Sequence, residues 1–418
     1  MKKRITLTTA GLALVLAACS SNPPVASTPS RPQLTAAQAE NFTMATYFAK
    51  AGSIKNLVTD NWNPEKAPIG DVASFKADYV VSPDGSSGYR SVQAAIDAAT
   101  KAGVAKPRYY IEVKPGTYRE LVCTKGAPPI TLYSTEADAS KTLIVFNNAN
   151  PTPKAGDQSA NSCNPNMGSA KGNLSFGTSG SASFAVYSDD FQAKNLSIGN
   201  DYVPGTYLSG NQSAVALMTM ADRLIFENVR FLGHQDTLYP KTAAPDVVQR
   251  VYFKNSYVEG DVDFIFGRAT AVFEGCEVRF LGGRSAKESF IGAPSTYLEN
   301  PYGFLFQHSR FTADAKTPAQ SVFLLRQWFE GNIPTNVGKM IVRDSELGGH
   351  IQREAPWAPW GTRTSPACSA QGEACSSKTL VLYDSSNYYA PGADPHNPPE
   401  QYLAEYRNIG PGAAKPRD

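Results

Sequence analysis

Six short stretches of the chain share one pattern of apolar and polar positions. Aligned on their first residues they read FQAKNLSI from Phe191, LIFENVRF from Leu224, VYFKNSYV from Val251, AVFEGCEV from Ala271, FLFQHSRF from Phe304 and MIVRDSEL from Met340. Apolar residues alternate in each, a small or polar residue takes the fifth place, and a second short run follows. The fifth places are Asn195, Asn228, Asn255, Gly275, His308 and Asp344, separated by 33, 27, 20, 33 and 36 residues. That spacing predicts a unit of about 20 residues carrying loops of unequal length. Short strands joined at Asn-containing bends predict an all-β chain wound as a single-stranded right-handed parallel β-helix, with a β-sandwich as the alternative.

Upstream the pattern changes. The stretch DYVVSPDGSSGYRSVQAAIDAAT predicts a strand, a turn at Asp84-Gly85, and a helix capped by Ser91 with an inner stripe of Val92, Ala95, Ile96 and Ala99. RYYIEVKPGTYRE predicts two strands about Pro115-Gly116. Leu34 to Lys50 predicts one short amphipathic helix, and the compact domain is expected to begin near Ala77.

The N-terminus reads as a processing signal. Lys2, Lys3 and Arg4 precede an apolar run from Ile5 to Ala18, too short to span a bilayer. The run ends in Leu16-Ala17-Ala18-Cys19, which resembles a bacterial lipobox and implies cleavage before Cys19 and lipidation of that residue. Ser20 and Ser21 follow, which in lipoproteins implies sorting to the outer membrane of a Gram-negative cell. An ordinary secretory signal with a chance cysteine is the alternative. The expected organisation is a signal peptide over 1–18, a lipidated tether and extension over 19–76, and a catalytic domain over 77–418.

Composition narrows the classes. Apolar residues make up 42% of the 418, so a sizeable core can form. Loss of residues 1–18 removes three of the 39 cations and none of the 37 anions, leaving a nearly neutral chain with no basic run. That gives no support to nucleic-acid binding. In an oxidising compartment Cys368 and Cys375 are a candidate loop staple, Cys123 and Cys163 a possible second pair, and Cys276 a buried free thiol. No Cys/His spacing resembles a metal site.

Candidate chemistry lies in four stretches that a β-helix could bring to one face. GNQSAVAL supplies Gln212, GHQDTLY supplies Gln235 and Asp236, VEGDVDFIFG supplies Asp263, and LLRQW supplies Arg326 and Trp328. Asp263 stands among Val262, Phe264, Ile265 and Phe266, where a carboxylate costs several kcal/mol unless it is paired or faces a cleft. Stacked coils lie about 4.8 Å apart, so residues at equivalent places on neighbouring coils can interact directly.

These motifs, with GTYRE, GTSGSASF, APST, HI…APWAPW and AEYRNIGPGA, resemble the pectin methylesterase family over roughly residues 77–413. The resemblance implies the parallel β-helix fold, with long loops around a groove, and hydrolysis of methyl esters on polygalacturonate. It implies Asp263 as nucleophile, Asp236 as general acid and base, Gln212 and Gln235 as oxyanion donors, and Thr178, Arg326 and Trp328 as substrate contacts. No cofactor or metal is implied. The partners implied are pectin and, through Cys19, a membrane, with the protein a monomer. The physics suits these roles: an Arg beside one Asp favours its anion, and a second Asp near that anion is driven to hold its proton.

The family's usual Leu-Gly-Arg-Pro-Trp stands here as Leu324-Leu325-Arg326-Gln327-Trp328, which bears on subsite geometry, and Ser256 replaces a cysteine found in some relatives. The 27 residues between Asp236 and Asp263 imply a longer loop around KTAAPDVVQ. Each site residue also has a plainer role. Asp236 could cap a turn, Trp328 could fill a core, Arg326 and Asp263 could be a structural pair, and Asp261 is assigned to a turn outside the site. Competing functions are a polysaccharide lyase on the same fold, a non-catalytic surface lipoprotein, and an esterase or thioesterase with a non-pectin substrate.

Overall fold

The computed structural model describes residues 31–154, 163, 175–284, 289–332, 336–358 and 403–414, apart from 32, 209, 327, 329 and 355. Cys19, Cys368 and Cys375 lie outside the described residues. Among those described, two long parallel sheets of sixteen and eight strands form a right-handed parallel β-helix. One coil shows how it is wound. Arg250–Lys254 and Tyr257–Gly260 belong to the large sheet and Val262–Gly267 to the smaller one. The next coil then begins with Thr270 beside Arg250, twenty residues on.

The recurring fifth place is a left-handed bend. Asn195, Asn228, Asn255, Gly275, His308 and Asp344 all have positive φ, between 47° and 62°. Asn is among the few residues with a side chain that tolerate this region, which explains its recurrence there. The asparagines also bond between coils: Asn228 Nδ2 donates to Asn195 Oδ1 at 2.9 Å, and Asn195 Nδ2 to the Ser134 carbonyl at 3.1 Å. One place further on, hydroxyls take over where the strand ladder is interrupted. Val229 N–H donates to Ser256 Oγ, Cys276 N–H to Ser309 Oγ, and Ser309 N–H to Ser345 Oγ, each at 3.1 Å. Ser256 therefore serves as a rung of this ladder. A seventh bend, Arg407 at φ 49°, follows the strand Leu403–Tyr406 and was not read from the sequence.

The third places fill the interior. Phe226, Phe253, Phe273 and Phe306 stack in a column, with ring centroids 5.2, 4.6 and 4.3 Å apart and planes within 16°. The helix Val92–Ala102, capped by Ser91, buries Val92, Ala95, Ile96 and Ala99 in the same core at the first coil. Cys276 is buried and free, and Cys123 is bonded to Cys163.

Five of the six second places are apolar too but point outward: Ile225, Tyr252, Val272, Leu305 and Ile341. They are covered by the segment preceding the first coil, through Phe42, Met44, Tyr47 and Phe48. Sheets buried on both faces carry near-continuous apolar runs, so the first three places of these strands (LIF, VYF, AVF, FLF and MIV) are apolar in succession rather than in the alternation expected. The single helix expected over Leu34–Lys50 is instead two, Ala36–Ala39 and Met44–Phe48, each opened by a threonine capping box. The break between them turns the chain so that Phe42, Tyr47 and Phe48 all reach the sheet. Arg250, fully buried, ties this segment down by pairing with Asp60 at 2.6 Å and Asp222 at 2.7 Å.

Candidate active site

The outer face of the eight-stranded sheet carries the candidate residues. Residues in register along it run Ala185, Met218, Tyr239, Phe266 and Ala293, an apolar stripe continued by the half-buried Trp328. Tyr239 and Phe266 stack with centroids 4.0 Å apart, and Trp328 tilts against them at 6.4 and 5.7 Å. Trp328 is thus neither free platform nor core, but the edge of an aromatic cluster.

Asp263 is placed by a local irregularity. Its strand slips register against Phe290–Pro294 between Val262 and Ile265, and Asp263 itself has φ 49°. Phe264 and Ile265 both enter the core while Phe266 faces out. Strict alternation would aim Asp263 inward with Ile265; the bulge and the left-handed residue turn it out to Arg326. Gly260 is needed nearby, since a Cβ there would overlap Phe264 and the His234 carbonyl. Arg326 grips the Asp263 carboxylate in a fork: Nε lies 2.8 Å from Oδ1 and 3.2 Å from Oδ2, and Nη2 also bonds Oδ2. The guanidinium rests 4.6 Å above the Phe290 ring.

Asp236 lies on the preceding coil, also left-handed at φ 65°, with its N–H donating to the Val262 carbonyl at 3.1 Å. Both carboxylates are 7% exposed. Burial pushes the Asp236 pKa well above the usual carboxylate range, and the Asp263 charge pushes it further. A Ser213 hydrogen bond and the Arg326 and Arg284 charges oppose this without prevailing. Two buried carboxylates on neighbouring coils are thereby split into one that holds its proton and one held by an arginine.

Gln235 is fixed by its neighbours. Arg284 Nη2 donates to its Oε1 at 2.6 Å, and its Nε2 donates to Asn211 Oδ1 at 2.8 Å. Arginine has no acceptor, so this contact determines which end of the amide is oxygen. Arg284 is held by Asp261 at 3.1 Å, and Asp261 also meets His234 Nδ1 at 3.0 Å. Asp261 is therefore the buried anchor of an Arg284–Gln235 chain, which goes beyond the turn assigned to it. Sequence reasoning missed Arg284, which follows Gly282-Gly283 with no pattern around it. Arg284→Met is expected to lower kcat about tenfold with little change in KM, ~1.4 kcal/mol of transition-state stabilisation. Arg284→Lys should recover part of that, and an equal fall in kcat for both variants would refute the positioning role.

Gln212 is not brought to the acid pair by its hydrogen bonds. Its Oε1 accepts from Tyr202 OH at 2.6 Å and Gly205 N–H at 3.0 Å, and its Nε2 donates to the Tyr207 and Gly210 carbonyls. All these bonds lie within its own loop. Thr178, in the helical turn Gly177–Gly180, accepts from Asn150 Nδ2 at 2.9 Å.

Known proteins resemble the chain over most of its length. The Pectinesterase family model matches residues 78–374. A pectinesterase of Ralstonia solanacearum is 46% identical over 357 residues, 82% of this chain and 88% of the relative. The structure of rice weevil pectin methyl esterase superposes with a TM-score of 0.68 at 30% identity, covering 92% of this chain and 98% of that one. Escherichia coli YbhC, named a putative acyl-CoA thioester hydrolase, gives a TM-score of 0.72 at 27% identity, covering 94% and 98%.

Proposed function

The chain belongs to the pectinesterase family, and on that footing we propose that Asp263 and Asp236 hydrolyse the methyl esters of polygalacturonate by covalent catalysis. The observation that carries this reading is the split pair: one carboxylate forked by Arg326, the other driven to stay protonated. An Asp263 oxygen attacks the ester carbonyl carbon, and the electron pair moves onto the carbonyl oxygen. As the tetrahedral intermediate collapses, methoxide leaves with the Asp236 proton as methanol, and an acyl-Asp263 anhydride remains. The Asp236 carboxylate then takes a proton from water, whose oxygen attacks the acyl carbon and releases Asp263. Gln235 is the favoured oxyanion donor, since its amide orientation is fixed and Nε2 keeps a second N–H. One such donor contributes up to ~3–4 kcal/mol. Gln212 can join only by exchanging its bonds to Tyr207 and Gly210 for the substrate.

Methanol release from methylated oligogalacturonides is the direct test, with an acyl-CoA thioester as comparator because of the name given to YbhC. Turnover of the thioester and none of the galacturonide would replace pectin as substrate. Trp328, half-buried at the edge of its cluster with Tyr239 and Phe266, offers the apolar face of a sugar a stacking surface.

The same reading places the protein on the outer membrane, as a monomer anchored by lipid on Cys19. The lipobox-like Leu16-Ala17-Ala18-Cys19 supports it. Cys19→Ala is expected to leave the protein soluble or unprocessed when cell fractions are immunoblotted. A Cys19→Ala protein that stays processed and tightly membrane-bound would overturn the anchor.

A further inference from the structure

The hydrogen bonds of Asn211-Gln212-Ser213 divide by alternation. Gln212 bonds within its own loop, while Asn211 and Ser213 bond across to Gln235 and Asp236. Asn211 Oδ1 accepts from three donors: Gln235 Nε2 at 2.8 Å, Ser213 N–H at 3.1 Å and Ser213 Oγ at 2.6 Å. Ser213 is fully buried, and its hydroxyl also hydrogen-bonds the Asp236 carboxyl. Backbone bonds fix this meeting. Ala214 N–H donates to the Gln235 carbonyl at 3.0 Å, and the Ser213 carbonyl accepts from Asn150 N–H at 2.7 Å.

A hydroxyl has one proton to donate and two lone pairs with which to accept. Ser213 therefore cannot donate to Asn211 and to an Asp236 carboxylate at the same time. While Asp236 holds its proton, its carboxyl requires no donor and the hydroxyl stays on Asn211. Once Asp236 is ionised, the charged acceptor outcompetes the amide oxygen for that proton. Asn211 loses little by the exchange, because Ser213 N–H and Gln235 Nε2 still fill its oxygen. A donor that arrives only with the charge suits a group that must act first as an acid and then as a base.

We propose that Ser213 is a positioning residue whose hydroxyl turns from Asn211 to Asp236 each time Asp236 gives up its proton. The role rests on the acid–base reading of Asp236 above and deepens it. As the Asp236 proton passes to methoxide, the hydroxyl swings onto the new carboxylate. It returns to Asn211 when Asp236 takes a proton from water. The Ser213 proton itself stays on Oγ throughout, so no bond of Ser213 is made or broken. The charged and titratable groups that face Asp236 are Asp263, Arg326, Arg284 and Tyr239, and Ser213→Ala alters none of them. It also leaves the backbone N–H on Asn211, so Gln235 keeps its orientation.

The test compares the parent, Ser213→Ala, Asp236→Asn and the double variant in the full chain. Without the hydroxyl the Asp236 carboxylate lacks a donor, and its folded pKa rises further. A group raised further loses more stability as pH climbs through that pKa. The gap in melting temperature between parent and Ser213→Ala should therefore widen from about pH 4 upward. In the Asp236→Asn background that widening should vanish. Melting needs no substrate. In methanol-release assays the alkaline limb of Ser213→Ala should lie about one pH unit above the parent's. A melting gap that is the same at every pH, or a limb that stays in place, would show a merely structural hydroxyl and overturn the proposal. A pH-dependent gap in a protein that releases no methanol would support the turn of the hydroxyl at Asp236 while refuting the esterase assignment.

Discussion

Asp263→Asn protein is expected to fold, to bind methylated oligogalacturonide, and to release methanol roughly a thousandfold or more slowly than the parent. Folding should survive because the position requires φ near 49°, and Asn is the residue with a side chain that adopts that region most readily. The amide oxygen can still accept from Arg326, so the fork is weakened rather than abolished. What the amide cannot do is form the acyl-enzyme, because its oxygen is a poor nucleophile and no anhydride results. Circular dichroism and thermal melting establish folding, and methanol quantified under single-turnover conditions establishes the chemistry. A folded Asp263→Asn enzyme with near-parental methanol release would return both aspartates to a structural role.

That expectation follows from a stretch the sequence made conspicuous without resolving. A carboxylate inside Val262-Asp263-Phe264-Ile265-Phe266 reads as misplaced by alternation, and by alternation it would point into the core. The bulge and the left-handed φ that turn it outward leave no periodic trace. The pattern marked the residue as out of place, and the motif resemblance supplied its role. The bends are the opposite case. Six of the seven fifth places were legible because Asn, Gly, His and Asp recur at one place in a fixed frame. The seventh, Arg407, escaped because 63 residues separate it from Asp344 and break the spacing.

The same contrast runs through the rest of the molecule. The Val92–Ala102 helix was legible from its cap and stripe, since both are local. The division of the Leu34–Lys50 helix was not, because it is imposed by the outer face of strands nearly two hundred residues away, beginning at Ile225. In the site, Asp263 and its partner Arg326 were found although 63 residues apart, because each stands in a recognisable motif. Arg284, acting on Gln235 from another coil, was invisible, and the hydrogen bonds that retain Gln212 in its own loop could not be foreseen from GNQSAVAL.

The pH behaviour of the acid pair gives the last expected result. Burial and the Asp263 charge raise the Asp236 pKa in the folded state above the 3.8 of an ordinary aspartate. A group raised in this way contributes stability that is fully present below its unfolded pKa and is lost as pH rises through the folded one. At neutral pH the parent therefore carries a destabilising tendency that Asp236→Asn removes. The variant is expected to melt at or above the parental temperature near pH 7, with the difference vanishing towards pH 4. Left-handed φ at Asp236 again suits Asn. Activity should move the other way. Methoxide must leave without a proton donor and water must attack without a base, a loss of ~10²–10⁴ in kcat. The parental rate should fall as pH rises through the Asp236 pKa, because the acid needed for methanol departure is titrated away. In Asp236→Asn that alkaline limb should disappear from the residual activity. A stabilised but fully active Asp236→Asn protein would show a buried carboxylate with no part in the chemistry, and an unchanged alkaline limb would assign the titration to another group.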